Sequence, residues 1–466
     1  MLKAGAVRLE ITPPAGTHLA GSGLGEHRPA RTVMDPLYVS ALVLESGGRH
    51  LALISMDVTA VTEEWTDHVR EAARQFGFSD GEVMVHATQT HSAPSFGHLM
   101  FDPDFPLSVP PEKEYLRGAE TNYCRFALKK TIEALEKAIS SLQPVVMGYG
   151  RAVQDRLAFN RRAVTRNGKV QMPFPAGRKI QPFGPTEICY LEGPVDPEVG
   201  VVVFQNRDME VVAALLHFAC HPVNVFCERT SYYAVSADWP GAWAAGMRTR
   251  LGKQCVPLVV NGCCGNINPI DPFDPEFVMD HRRMGAALTE VSCRLVPHLE
   301  FTDEVCLDSR MQRIALPYRE IPEVRQAEVE RILKQSDQPQ FLSENLQRVD
   351  PQWFLAASTR SIEYCRRRNP LFPYEIQVFR LGPVALLGLA GEPFVEAQLA
   401  LKVGSPASLT LVAHMISHYV GYLAPEECFA RGGHEVHPAC PYWAKLAPGS
   451  LKKVVSQAQD LLRSVF

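Results

Sequence analysis

Apolar runs of strand length recur along this chain, bounded by turn residues and ending in polar groups. "HLALISMDVTA" reads as a strand. In "TEEWTDHVREAARQFG", Trp65, Val69 and Ala72 fall at helical spacing and Gly77 stands where a helix stops. "GEVMVHATQTHS" is the next strand, so these segments predict a β-α-β unit of the kind that builds a buried sheet.

"VGVVVFQNRDMEVVAALLHFACHP" predicts two strands joined at Asn206-Arg207-Asp208, and "YEIQVFRLGPVALLGLAGEP" repeats the pattern around Gly382-Pro383. "VPLVVNGCCGNINP" and "LTLVAHMISHYVGYL" are further apolar runs that decay into polar loops. Residues 320–368 differ: they are charged and helical in period, clearest in "EVRQAEVERILKQ", and read as a helical insertion covering a cleft. The Pro- and Gly-rich stretch 168–200 reads as long surface or active-site loops. Strands alternate with helices along most of the chain, so the expected class is α/β, with mixed β-sheets packed against helices.

Composition narrows the picture. Hydrophobic residues at 46% and charged residues at 21% describe an ordinary globular chain with ample core. A formal charge of -4 leaves no basic footprint, which argues against a nucleic-acid partner. The 466 residues would suggest about three domains by length alone. No window approaches ~18 uninterrupted apolar residues, so no membrane span is expected. The start, "MLKAGAVRLEITPP", carries Arg8 and Glu10 where the apolar core of a signal peptide would lie, and the expectation is a cytoplasmic protein. Twelve cysteines follow no repeated spacing, and Cys263 adjoins Cys264, which favours reduced, buried thiols.

The candidate chemistry lies at strand ends: Asp57; Gln89 and His91; His217 and His221; Glu392; then His418, Tyr419 and Tyr422. Ligand sites of open α/β sheets lie outside the carboxyl ends of strands, so these groups can converge. Metal-assisted hydrolysis needs about three N or O ligands and an open position. His91, His221 and Glu392 would supply two imidazoles and a carboxylate. Each also has a plainer reading. His217, within an apolar run, reads as a core histidine bonded to backbone. Glu392 also suits the first turn of a helix over "PFVEAQLALKV", with Pro393 at the first helical position. Cys220 reads as core, because it faces away from His221 in a strand. Cys263 and Cys264 read as packing residues.

Taken in order, "GAVRLEITPPAG", "MDPLYVSALVLE", "THSAPS", "FNRRAV", "HFACHP", "SADWPGAW", "NGCCGNINP", "GLAGEPF" and "HYVGYLAPEE" resemble the catalytic region of the neutral, non-lysosomal ceramidases. The likeness spans nearly the whole chain, which favours one catalytic domain over 1–466 with a helical insertion at about 320–370. It implies a zinc amidase in which a metal-activated water cuts the amide of an N-acyl, lipid-like substrate. His91, His221, Glu392 and Tyr422 would hold one Zn²⁺. Gln89, Arg161 and Asn268 would line the substrate site, and Asp57 or Asp238 would orient a histidine from behind.

The chain departs from the family pattern at Gln89, where the family carries a ligating histidine. Either His91 enters the shell, or the Gln89 amide oxygen ligates weakly, or the metal is altered or absent. Asn268 stands where the family has a serine, so a water mechanism survives and a serine mechanism does not. The signal peptide and carboxyl-terminal β-sandwich of secreted members are not expected. Two rivals remain open at this stage: a hydrolase of a small soluble amide, ester or lactone, and a non-catalytic binding protein that has lost its metal.

Overall fold

The computed structural model describes residues 1–107, 109–173, 188–274, 276–342 and 348–466. Its framework is three larger sheets. The first orders Val83–Ala87, Arg49–Met56, Tyr38–Ser46, Lys3–Glu10 and Gln143–Pro144; the second orders Val256–Asn261, Val211–Phe218, Glu198–Gln205, Val146–Val153 and Phe301–Thr302. The third orders Leu307–Pro317, Leu371–Leu381, Val384–Leu389 and Leu409–Ala413. All three are mixed, and each ends in a parallel pair at one edge: Arg49–Met56 with Val83–Ala87, Val211–Phe218 with Val256–Asn261, and Val384–Leu389 with Leu409–Ala413.

Those edge strands are continuous apolar runs because both of their faces are covered. Val211–Phe218 and Val83–Ala87 are buried at every position. One core joins the sheets: Leu53 and Met84 from the first, Leu215 and Leu258 from the second, Leu386 and Leu411 from the third. Full burial of such a side chain is worth roughly 1.5–3 kcal/mol. Helices cover the outer faces. Glu63–Arg74 and Thr121–Ser140 pack on the first sheet, Asp238–Leu251 and His281–Leu295 on the second, and Val395–Gly404 and Ser450–Arg463 on the third. The fold is thus α/β with mixed sheets, as the pattern predicts, and its shared core makes one unit.

The predicted β-α-β unit is present, with Glu63 and Glu64 in the helix's first turn and Arg74 in its last, matching the helix dipole. The turn after Glu198–Gln205 closes an antiparallel hairpin, as does Gly382 at φ 57. The helical insertion forms Glu323–Gln335 and Pro351–Arg368. The stretch 168–200 is less loop-like than its composition suggests. Val170–Gln171 and Ile188–Leu191 both pair with Ala163–Thr165, and Glu198 already opens a core strand. Residues 174–187 of that stretch lie outside the described residues.

Glu392 is not in a helix. Glu392–Pro393 form a short parallel ladder with Tyr422–Leu423, and the helix begins only at Val395. Gly391, at φ 70, permits this approach, since a Cβ there would stand 2.5 Å from Val420 Cγ2 and 2.6 Å from the Gly421 carbonyl.

Candidate active site

The carboxyl ends of the three parallel edges open onto one cavity of about 410 Å³. From the first sheet come Gln89 and His91. The second brings Asn268, by way of the pairing of Ile267–Asn268 with Phe159–Asn160, which also places Arg161. The third brings Glu392 and, as its register partner, Tyr422. His221 stands directly behind Glu392, its Nε2 3.2 Å from Oε2. The fold therefore gathers Gln89, His91, Arg161, His221, Asn268, Glu392 and Tyr422 at one place. Leu99, Met100, Phe226, Met415 and Trp443 form much of the remaining wall.

The hydrogen bonds define which atoms remain free. His221 Nδ1 lies 2.6 Å from the Cys264 carbonyl and must donate to it, which leaves a lone pair on Nε2. His91 Nδ1 likewise donates to the Gly21 carbonyl at 3.0 Å. Gly21 is required there, because a Cβ would fall 2.4 Å from the His91 carbonyl oxygen. The two imidazole centroids are 5.6 Å apart. Glu392 Oε1 accepts from the Tyr419 hydroxyl at 3.1 Å, whereas Oε2 and His221 Nε2 find no hydrogen-bond partner among the described residues. Two buried acceptors thus face each other with no proton between them.

Burial, followed by the neighbouring Arg161, lowers the His221 pKa; burial and then His221 lower that of His91 to about 3. Burial alone would raise the pKa of Glu392, but His221 and Arg161 hold it below the ordinary value. Both imidazoles are neutral and the carboxylate is ionised at neutral pH, which is the protonation state of metal ligands. Two imidazoles, a carboxylate and the Tyr422 phenol fit zinc by type. Among the described residues, no group of three or more His, Cys, Asp or Glu side chains stands in metal-holding geometry. His221 and Glu392 are in contact, and His91 stands further out.

Arg161 is held from below. Its Nε donates to Glu435 Oε1 at 2.8 Å, Nη1 donates to Asn268 Oδ1 at 3.3 Å, and Nη2 has no hydrogen-bond partner among the described residues. Arg162 Nη1 takes the other Glu435 oxygen at 2.7 Å and its Nε pairs with Glu192. Glu435, which burial would raise, is brought down to about 2 by Arg161 and Arg162. The Tyr422 ring lies 5.3 Å from the Arg161 guanidinium carbon.

Gln89 adopts φ 69, a strained conformation for a non-glycine residue, and Met415 in the same wall adopts φ 52. The Gln89 amide oxygen accepts from the Cys264 thiol at 3.4 Å, so Cys264 does more than pack. Its carbonyl fixes the His221 tautomer and its thiol holds Gln89.

Other strand-end groups lie elsewhere. Asp57 accepts from the Tyr38 amide at 3.0 Å and the Thr88 hydroxyl at 3.3 Å, so it orders backbone and does not orient a histidine. Asp238 is likewise used by Asn224 at 2.9 Å and the Val225 amide at 2.8 Å, tying down the segment that carries Phe226. No histidine bonds to it among the described residues. His217 is the core histidine expected, bonded to the Val412 backbone at 3.2 Å. Cys220 is buried in the core of the second sheet. His418 turns away toward Glu63, 3.5 Å distant. All twelve cysteines are free thiols.

Tyr419 is among the strand-end groups of the sequence but has no place in the expected ligand set or substrate site. Glu435 came from a loop with no periodic signal.

The fold is a ceramidase-like α/β scaffold. Solved structures with this fold include neutral ceramidase from Pseudomonas aeruginosa, which superposes with a TM-score of 0.70 at 17% identity over 100% of this chain and 74% of that one. Another, a ceramidase complexed with C2, gives 0.71 at 16% identity over 100% and 75%. No protein-family model and no curated protein matches the sequence.

Proposed function

We propose that the protein is a zinc-dependent amide hydrolase of the neutral-ceramidase type, acting on an N-acyl amine with an apolar acyl group. The observation that carries this reading is the pair of buried acceptors, His221 Nε2 and Glu392 Oε2, that face each other without a shared proton. An isolated arrangement of that kind is unfavourable and is relieved by a cation. Support also comes from the common fold with ceramidases.

In this reading His221, Glu392, His91 and Tyr422 hold the ion, which supplies Lewis acidity and lowers the pKa of water. Arg161 Nη2 and the Asn268 amide NH₂, whose orientation is set by Oδ1 accepting from Arg161, donate to the substrate carbonyl oxygen as negative charge develops on it. The Glu435 carboxylate keeps the guanidinium in place, so its orientation is settled before substrate arrives. Gln89 lines the same cavity. Leu99, Met100 and Trp443 offer the acyl chain an apolar surface.

Elemental analysis of protein purified without chelator, paired with hydrolysis of N-acetyl to N-palmitoyl amines, tests the reading. The wild type should carry zinc and turn over N-acyl substrates, and His221→Ala should lose both. Metal-free, inactive wild type would leave a binding protein. Turnover of lactones or soluble esters alone would favour the small-substrate hydrolase, and unchanged turnover in His221→Ala would reject the mechanism.

A further inference from the structure

A second cavity, of about 350 Å³, lies beside the first and shares Met100 and Tyr419 with it. The helical insertion closes it: Ser358, Ser361, Ile362 and Cys365 of Pro351–Arg368 form one wall. Phe101, Tyr318, Phe372 and Tyr442 make other parts apolar. Among the described residues, none of the insertion lines the first cavity.

Charge is unbalanced in this cavity at one point. Lys445 Nζ donates to the Tyr419 carbonyl at 2.9 Å and stands 4.9 Å and 5.2 Å from the ring centroids of Tyr419 and Tyr442. It pairs with no carboxylate among the described residues, and an ammonium has two further donors to offer. Glu63 is matched by Arg313 at 3.0 Å. Asp102 accepts from the Cys365 thiol at 3.0 Å and has Arg368 at 3.5 Å. Glu64 is exposed at the rim, His98 bonds Glu114 at 3.0 Å, and burial keeps His418 neutral. Lys445 makes no ion pair of its own, and burial lowers its pKa to about 8 against the raising pull of Cys365 and of Asp102, which shares Arg368 with Asp104. Aromatic faces compensate an ammonium only in part.

We propose that this cavity is a second ligand site, taking a small monocarboxylic acid with an apolar body whose carboxylate pairs with Lys445 Nζ. The volume falls in the range of small-molecule pockets, and an apolar wall with one placed charge is the usual recognition pattern. The carboxylate supplies the missing counter-ion, and Met100, Phe101, Ile362 and Phe372 receive the body. The site does not depend on the reading of its neighbour.

Calorimetry with hexanoate tests this, using hexylamine as the same body with opposite charge. Hexanoate should bind the wild type and His221→Ala alike, and Lys445→Met should weaken it by at least about tenfold, the loss of a charge-assisted hydrogen bond. Hexylamine should not compete. A signature independent of any variant is proton uptake: in buffers of differing ionisation enthalpy, binding should take up a proton at about pH 8.5 and none at about pH 6.5, because the carboxylate recharges the amine. Absence of hexanoate binding, equal binding to Lys445→Met, loss in His221→Ala instead, or binding at the higher pH without proton uptake would each overturn the assignment.

Discussion

Tyr419 donates its hydroxyl to Glu392 Oε1 at 3.1 Å, which turns the other carboxylate oxygen toward His221. The bond fixes a carboxylate rotamer that nothing else on the Oε1 side holds. Outer partners of this kind typically alter metal affinity by about 10–100-fold. Tyr419→Phe should therefore weaken zinc binding by about that factor while leaving the fold intact, as read by competition with a chelating dye and by thermal unfolding. Undiminished affinity would mean that Glu392 is oriented by some other contact.

Position 89 allows a complementary gain. Its amide oxygen is occupied by the Cys264 thiol, and a neutral amide is in any case a weaker zinc ligand than imidazole. Gln89→His should tighten zinc binding if the side chain reaches the ion. The same dye competition decides it, and identical affinities would put residue 89 outside the shell.

The strands and helices were legible because their burial follows the periodicity of the chain. Val211–Phe218 reads as a doubly covered strand and is one; the insertion reads as helical and is. The local environment of Glu392 was not legible, because "GEPF" also satisfies the rules for a helix start. What decides between them is a tertiary pairing with Tyr422–Leu423. Asp57 and Asp238 misled for a related reason: an acid at a strand end or a helix start is as readily taken by backbone N–H groups as by a histidine. Cys264 acts partly through its carbonyl, a contribution that residue type does not reveal. The chamber around Lys445 draws on loops, two helices and a strand with no common period.

Acid stability should be limited by buried histidines. His86 donates from Nδ1 to the His414 carbonyl at 2.6 Å and accepts the Asn261 amide on Nε2 at 3.2 Å, so a second ring proton would confront an N–H. Burial lowers its pKa from 6.5 to about 4. Below pH 6.5 the unfolded chain binds a proton that the folded protein refuses. The stabilisation is complete above that pH and is lost as pH falls toward about 4, with His217 acting in the same direction. At ~1.4 kcal/mol per unit, His86 alone contributes on the order of 3 kcal/mol. Urea midpoints should fall between about pH 7.5 and about pH 5, and fall less in His86→Gln. A flat profile would contradict this account.

The buried pair Arg70–Glu375 makes the steepest stability prediction. Arg70 forks onto Glu375 at 2.7 and 3.1 Å, and Ser417 donates to the same carboxylate at 2.6 Å. Both charged side chains are essentially inaccessible, so removing Arg70 leaves Glu375 with only Ser417 and the more exposed Arg313. Arg70→Met should cost about 3–5 kcal/mol in urea unfolding. Joining it to Glu375→Leu should recover part of that loss, because the orphaned charge is then gone and only weaker polar bonds remain unmet. Ser417, at φ 54, opens the turn that carries Tyr419, so Arg70→Met should also reduce zinc affinity. Additive costs in the double variant would show that the carboxylate, once its arginine is lost, finds enough support from Ser417 and from Arg313, 3.3 Å away.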